Sequence, residues 1–188
     1  LGCDCYGVDY LDCRKLYPYA YEKHGIKFSV CNIEVDELPF AENYFDAVSC
    51  GQCFEHFTHS PKHAMNEFHR VLKPGGIVEI DVPNVTCFHN RSRLIRGKNI
   101  AWDFESAYFD CEPVSYKNMS FFPMRHNHEY TINELKTLLH RSNFKNVEAR
   151  FMKSKQYRIG LASLLSIGSN IRDCIPSLRK SLIGLGNK

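Results

Sequence analysis

Three kinds of chemistry are open to the stretch Ser49-Cys50-Gly51-Gln52-Cys53-Phe54-Glu55-His56. Cys50 and Cys53 have the C-x-x-C spacing of a dithiol redox pair, which requires the first thiol exposed at a helix N-terminus with a lowered pKa. His56 is a candidate general base on an acceptor hydroxyl, because an unperturbed imidazole pKa of about 6.5 suits that task; capping the following loop is its structural alternative. His126, in Arg125-His126-Asn127-His128-Glu129-Tyr130-Thr131, is a second candidate for substrate contact or base. His59 and His63 stand at i, i+4, but zinc would need a third ligand and a closed shell. They read as surface histidines, and no metal is expected. Asp9 follows Gly7-Val8 at the end of an apolar run. A carboxylate there can accept two hydrogen bonds from a ribose diol, or simply close a turn.

Positioning such groups falls to alternating strands and helices. "CYGVDY", "KFSVCNI", "FDAVSC" and "IVEIDV" read as strands, the first ending at Asp9 and the last closed by Pro83. A helix is expected within 13–24, stopped at Gly25. A second begins after Ser60-Pro61, carries Ala64, Met65, Phe68, Val71 and Leu72 on one face, and breaks at Pro74-Gly75-Gly76. Thr131-Ile132-Asn133-Glu134 fits a capping box, Ile132, Leu135, Leu138 and Leu139 give that helix a buried stripe, and Asn143 is a left-handed stop. "NVEARFM" follows as a strand. Strands separated by helices of this length predict an α/β, Rossmann-like, mostly parallel sheet flanked by helices. In such sheets ligands bind beyond the carboxyl ends of the strands.

The ordered series Asn32-Ile33, Leu38-Pro39-Phe40, Phe45-Asp46-Ala47-Val48, Glu55-His56 and Glu67-Phe68-His69-Arg70-Val71-Leu72-Lys73-Pro74-Gly75-Gly76 resembles the class I S-adenosylmethionine-dependent methyltransferases of type 11/type 23. Their pattern runs D-I-x-x-L-P-F, F-D-x-V, E-H, E-x-x-R-V-L-K-P-G-G. The resemblance spans residues 1 to about 150 and implies S-adenosylmethionine as cofactor, with Asp9 on the ribose and Asn32 and Ile33 at the adenine. It places Cys50, Gly51 and Gln52 near the methyl-donating sulfur, where small residues let the backbone approach a ligand. The C-x-x-C pair is then incidental. Asn32 stands where the family has Asp, so its amide oxygen accepts without charge assistance. His128 stands where the family has Arg. The family's glycine-rich loop is expected upstream of Leu1, so the first βα unit is missing from this chain.

On this reading, residues 1–150 are a partial methyltransferase domain with an aromatic-rich insertion at about 84–124, and 151–188 are a basic, apolar C-terminal extension. The function implied is methyl transfer to an oxygen or nitrogen. "DVPN", the basic cluster Arg91, Arg93, Arg96 and Lys98, and the H-x-x-E-Y-T segment resemble methyltransferases of surface-glycan synthesis, which makes a sugar hydroxyl the first acceptor. The competing reading is an inactive interaction module lacking the glycine-rich cofactor loop. With 188 residues, 44% hydrophobic, one domain is expected. Nine scattered cysteines and no apolar run long enough to span a bilayer fit a reducing cytoplasm. The net charge is +3, yet residues 150–188 hold eight Lys/Arg against Asp173 alone, +7, leaving −4 on the rest. That tail is expected to touch an anionic membrane surface peripherally. Without interleaved aromatics on the tail, nucleic acid is not an expected partner.

Overall fold

The computed structural model describes residues 2–101, 103–153 and 173–188. Strand β1 (Tyr6–Asp9) is followed by a 3-10 turn at Cys13–Lys15 and helix α1 (Pro18–His24), which Gly25 ends in the left-handed conformation (φ 61°). Strand β2 (Lys27–Val30) pairs parallel with β1. Next come β3 (Phe45–Gly51), helix α2 (Lys62–Val71) and β4 (Leu72–Pro83), with β3 and β4 parallel. Helix α3 (Phe88–Ile95), a π-helical turn at Glu105–Phe109 and a hairpin of β5 (Val114–Tyr116) and β6 (Met119–Phe121) fill the aromatic-rich stretch. The hairpin turns through Lys117 and Asn118, both at positive φ, as a two-residue connection requires. Helix α4 (Ile132–Arg141) carries the complete capping box at Thr131 and Glu134, and Asn143 beyond it has φ 64°.

Strand β7 (Lys145–Met152) forms the edge of the larger sheet. The last strand, β8 (Ser181–Asn187), lies inside that sheet, whose order is β3-β4-β8-β7. It runs antiparallel to both neighbours. Residues 181–187, expected in a C-terminal extension, are therefore buried sheet. The reason is packing: a Cβ at Gly184 would stand 2.9 Å from Leu135 and Leu139, and one at Gly186 2.8 Å from Phe144. Glycines that look like a loose tail in sequence are what allow α4 to lie flat on β8.

The α/β class with a sheet flanked by helices is as expected. Apart from the β5–β6 hairpin, the strands divide into two groups, β1-β2 and the four-stranded sheet. Tyr6 bridges them, its ring edge-on to Phe40, Tyr44 and Phe45 and its hydroxyl 2.7 Å from that of Tyr44. One core runs through the molecule: Val78, Ile80 and Val82 on one face of β4, Ala64, Met65, Phe68 and Val71 of α2, and Leu135 and Leu139 of α4 are buried. Among the described residues no helix is long and apolar enough to cross a membrane.

Candidate functional site

The carboxyl ends of β1, β2 and β3 converge on one groove of about 240 Å³. Val8, Asp9 and Tyr10 come from β1 and its end, Cys31 to Glu34 from the turn after β2, and Gly51, Gln52 and Cys53 from the end of β3; His56, Phe57 and Pro123 complete the wall. Six of the eight residues expected to do chemistry (Asp9, Asn32, Ile33, Gly51, Gln52 and His56) thus share one concavity. Cys50 does not line it. Consecutive strand residues face opposite ways, so Cys50 turns into the core while Gly51 faces the groove side. His126 is also off the wall, and its ring meets that of His56 edge-on at 5.0 Å.

Local hydrogen bonds hold the groove walls. Asp9 Oδ1 accepts from the Leu11 amide at 3.1 Å, and the Asp9 carbonyl accepts from the Cys31 amide at 2.9 Å, tying the two strand ends together. Asn32 is buried, and its side-chain oxygen already accepts from the Glu34 amide (3.1 Å). Its own amide donates to Asp36 Oδ2 at 3.1 Å. Asp36 in turn bonds the Tyr116 hydroxyl and Lys117 Nζ (2.6 Å), fastening the β5–β6 hairpin over the turn. Burial would raise the Asp36 pKa, but Lys117 and Tyr116 outweigh it and hold the carboxyl below its ordinary value. Glu34 Oε2 accepts from the amides of Thr58 and His59 at 2.9 and 2.8 Å. Sequence reasoning missed Glu34, Asp36, Tyr116 and Lys117; the acids at alternate positions in Asn32-Ile33-Glu34-Val35-Asp36 were the available signal.

At the end of β3 the backbone is strained. Gln52 has φ 50°, the left-handed region a non-glycine residue enters at a cost. Its amide donates to the Asp81 carbonyl at 2.8 Å, which holds the turn. Burial raises the Asp81 pKa, and Oδ1 of that side chain has no partner among the described residues. The hydrogen bond with Cys53 and then burial push the Cys50 thiol well above its ordinary range. That is opposite to what a nucleophilic thiol needs, and Cys50 and Cys53 are not joined in a disulfide. The pair is no redox centre.

Beside the groove, the 3-10 turn Phe54–His56 is wrapped by residues 125–128. The Glu55 carbonyl accepts from the amides of Asn127 (2.6 Å) and His128 (3.2 Å), and Asn127 Nδ2 donates to the His56 carbonyl at 2.8 Å. His56 Nδ1 donates to the Arg125 carbonyl at 3.1 Å. A carbonyl only accepts, so that bond fixes the tautomer and leaves Nε2 with its lone pair. Burial lowers the His56 pKa. His126 Nδ1 is held by Glu129 Oε1 at 3.1 Å, and Glu129 by Asn90 Nδ2 at 2.6 Å. Glu55 is 1% exposed, burial pushes its pKa to about 7, and its Oε2 has no partner among the described residues. Side-chain ligand atoms of Glu55, His56 and His126 all lie within 4.8 Å of one another. His59 and His63, by contrast, are separately engaged, by Glu34 Oε2 (3.3 Å) and by the Asp36 carbonyl (3.0 Å).

The sequence profile described as a methyltransferase domain matches residues 1–149. A ubiquinone/menaquinone biosynthesis C-methyltransferase UbiE of Chromobacterium violaceum is 44% identical over 99 residues, 48% of this chain and 40% of that protein. The UbiE of Blochmanniella pennsylvanica is 32% identical over 136 residues, 66% of this chain and 48% of that protein. The chain thus spans less than half the length of these curated relatives. Its fold is similar to an S-adenosylmethionine-dependent methyltransferase from Mesorhizobium loti (TM-score 0.60, 12% identity, 98% of this chain and 80% of that one). It is also similar to one from Archaeoglobus fulgidus (TM-score 0.55, 15% identity, 100% and 87%). With the profile matched over most of its length, the chain belongs to the methyltransferase-domain family.

Proposed function

We propose that this protein transfers a methyl group from S-adenosylmethionine to a small-molecule acceptor, and that the groove at the ends of β1, β2 and β3 holds the cofactor. The observation that carries this reading is the convergence of Asp9, Asn32, Ile33, Gly51 and Gln52 on that one groove. Its polar groups fit the cofactor: Asp9 would offer a carboxylate to the ribose hydroxyls, Asn32 and the Ile33 backbone would face the adenine, and Gly51 would leave room at the methionine end. Bound there, S-adenosylmethionine supplies an electrophilic methyl group. Transfer of this kind depends mainly on alignment of the nucleophile.

The acceptor assigned first is a hydroxyl, that of a sugar, with a nitrogen acceptor in the same class. His56 and His126 are the residues given to it, because the proton it loses must be managed at the groove wall. A second reading, methylation at carbon, is favoured by the likeness to two C-methyltransferases. The location proposed is cytoplasmic, with the basic segment 151–188 touching an anionic surface. Half of that segment, 154–172, lies outside the described residues. Arg179 within it is committed elsewhere, to the carbonyls of Asp173 (2.9 Å) and Phe151 (3.0 Å). The arginines of the 84–124 stretch are likewise spent on carbonyls: Arg91 on Thr86, Arg93 on Asn99 and Ala101, Arg96 on Ser92.

The test is calorimetry with S-adenosylhomocysteine on the protein and its Asp9→Ala variant. Loss of the ribose contact should weaken binding by about 1.5–3 kcal/mol, the contribution of a hydrogen bond to a charged group. Equal affinity in the variant would remove the groove assignment, and no binding to a form that carries the glycine-rich loop would favour a non-catalytic interaction module. Magnetic resonance of the methylated product separates oxygen or nitrogen from carbon.

A further inference from the structure

We propose that Glu55, His56 and His126 bind one divalent first-row transition-metal cation beside the groove. Three independent features converge. The first is an unexplained atom: Glu55 Oε2 is buried without a hydrogen-bond partner among the described residues, and such groups are rare in native proteins because they forfeit solvation for nothing. The second is the spacing. Glu55 Oε1 and His56 Nε2 are 3.9 Å apart, too far for a hydrogen bond and close to the separation of two ligands on one ion. Two ligands each about 2.1 Å from a tetrahedral metal stand about 3.4 Å apart. Ligand atoms within 4.8 Å of one another reach that spacing by closing about 1.4 Å at most.

The third feature is the outer layer. A metal-bound imidazole keeps one nitrogen for the ion and donates the other N–H to a carbonyl or carboxylate, which fixes its tautomer and aim. Both histidines have that arrangement here: His56 Nδ1 on the Arg125 carbonyl and His126 Nδ1 on Glu129, itself held by Asn90. The two Nε2 atoms are left for a ligand. His126 is 40% exposed in its side chain, which leaves a path for entry. Two imidazoles and one carboxylate favour manganese to zinc over magnesium or calcium, which prefer oxygen shells. Three protein ligands also leave positions open.

One consequence rests on the proposed methyl transfer: the open positions would take the acceptor's hydroxyl and ease loss of its proton. His56 and His126 would then serve the acceptor through the cation and not as bases. The binding itself does not depend on that reading.

The experiment is Mn²⁺ titration of the protein followed by electron paramagnetic resonance of the free ion, with no cofactor or acceptor present. One site per chain is expected. Affinity should fall at least about 10-fold in Glu55→Gln and in His126→Ala, and about 10–100-fold in Glu129→Gln, the change typical of an outer-layer partner. His24→Ala, at the far end of α1, controls for surface histidines and should leave affinity unchanged. Because Glu55 is buried, circular dichroism and melting of its variant are recorded alongside. His126→Ala, half exposed, serves as the decisive variant if Glu55→Gln unfolds. Absence of stoichiometric Mn²⁺, or equal affinity in His126→Ala, overturns the site. Methylation that persists undiminished in chelator refutes the cation's part in the transfer and leaves the methyl-transfer reading standing. Bound ion without methylation does the reverse.

Discussion

Replacing Glu67 with alanine should be strongly destabilising, because Glu67 and Arg70 clamp the loop that leads from the groove into β3. The Glu67 carboxylate accepts from the Leu38 amide at 2.7 Å, from Arg70 Nε at 2.8 Å and from Arg70 Nη2 at 2.6 Å. Arg70 then donates to the Leu38 and Phe40 carbonyls at 2.9 and 2.8 Å. Removing the carboxylate strips a buried amide of its acceptor and leaves a guanidinium on two carbonyls. Charge-assisted bonds contribute about 1.5–3 kcal/mol each without adding up, and deleting one member of a buried pair costs about 3–5 kcal/mol. The side chains are 9% and 27% exposed, so the lower end, about 3 kcal/mol, is expected. Urea unfolding of the wild type, Glu67→Ala, Arg70→Ala and the double variant measures it, with a coupling of about 1–3 kcal/mol in the cycle.

The pH dependence provides a second readout. Arg70 holds the Glu67 pKa below its ordinary 4.5 in the folded protein. The ionised form is the one folding favours, so this stabilisation is complete above about 4.5 and is lost as pH falls through the lowered folded value. The gap between the wild type and Glu67→Gln should therefore narrow below pH 4.5 and stay flat above it. A cost below about 1 kcal/mol in Glu67→Ala, or additivity within about 0.5 kcal/mol, would refute the clamp.

Gly184→Ala should overpack the seam between α4 and β8, where its methyl would stand 2.9 Å from Leu135 and Leu139. The expected cost is about 1–3 kcal/mol, a melting temperature lower by roughly 3–10 °C for a chain of this size; an unchanged melting curve would mean that β8 is not packed as described. The Cys50–Cys53 pair should show no dithiol–disulfide activity, since the Cys50 thiol is buried and raised. Insulin reduction by the protein that disappears in Cys53→Ser would contradict this, while titration of the denatured protein should count nine thiols.

What the chain determined by itself was local. Gly25 and Asn143 end helices because each sits at positive φ, and Thr131 and Glu134 cap α4 by a reciprocal bond between residues three apart. The order of strands and helices, and with it the α/β class, followed from runs of apolar residues of the right length. The polar residues at strand ends could be named because strand ends are where such sheets bind ligands. What the tertiary structure decided depends on residues far apart in sequence. Gly184 and Gly186 became sheet because α4, some forty residues earlier, presses on them. Glu67 and Arg70, legible as part of a motif, acquired a physical task only when Leu38 and Phe40 arrived across the core. Cys50 and Gly51 parted company because a strand alternates its faces, and only the assembled sheet shows which face is the groove. The meeting of Glu55 and His56 with His126 spans some seventy residues. No periodicity or spacing in the chain encodes it; the backbone bonds of Asn127 and His128 to the Glu55 carbonyl do.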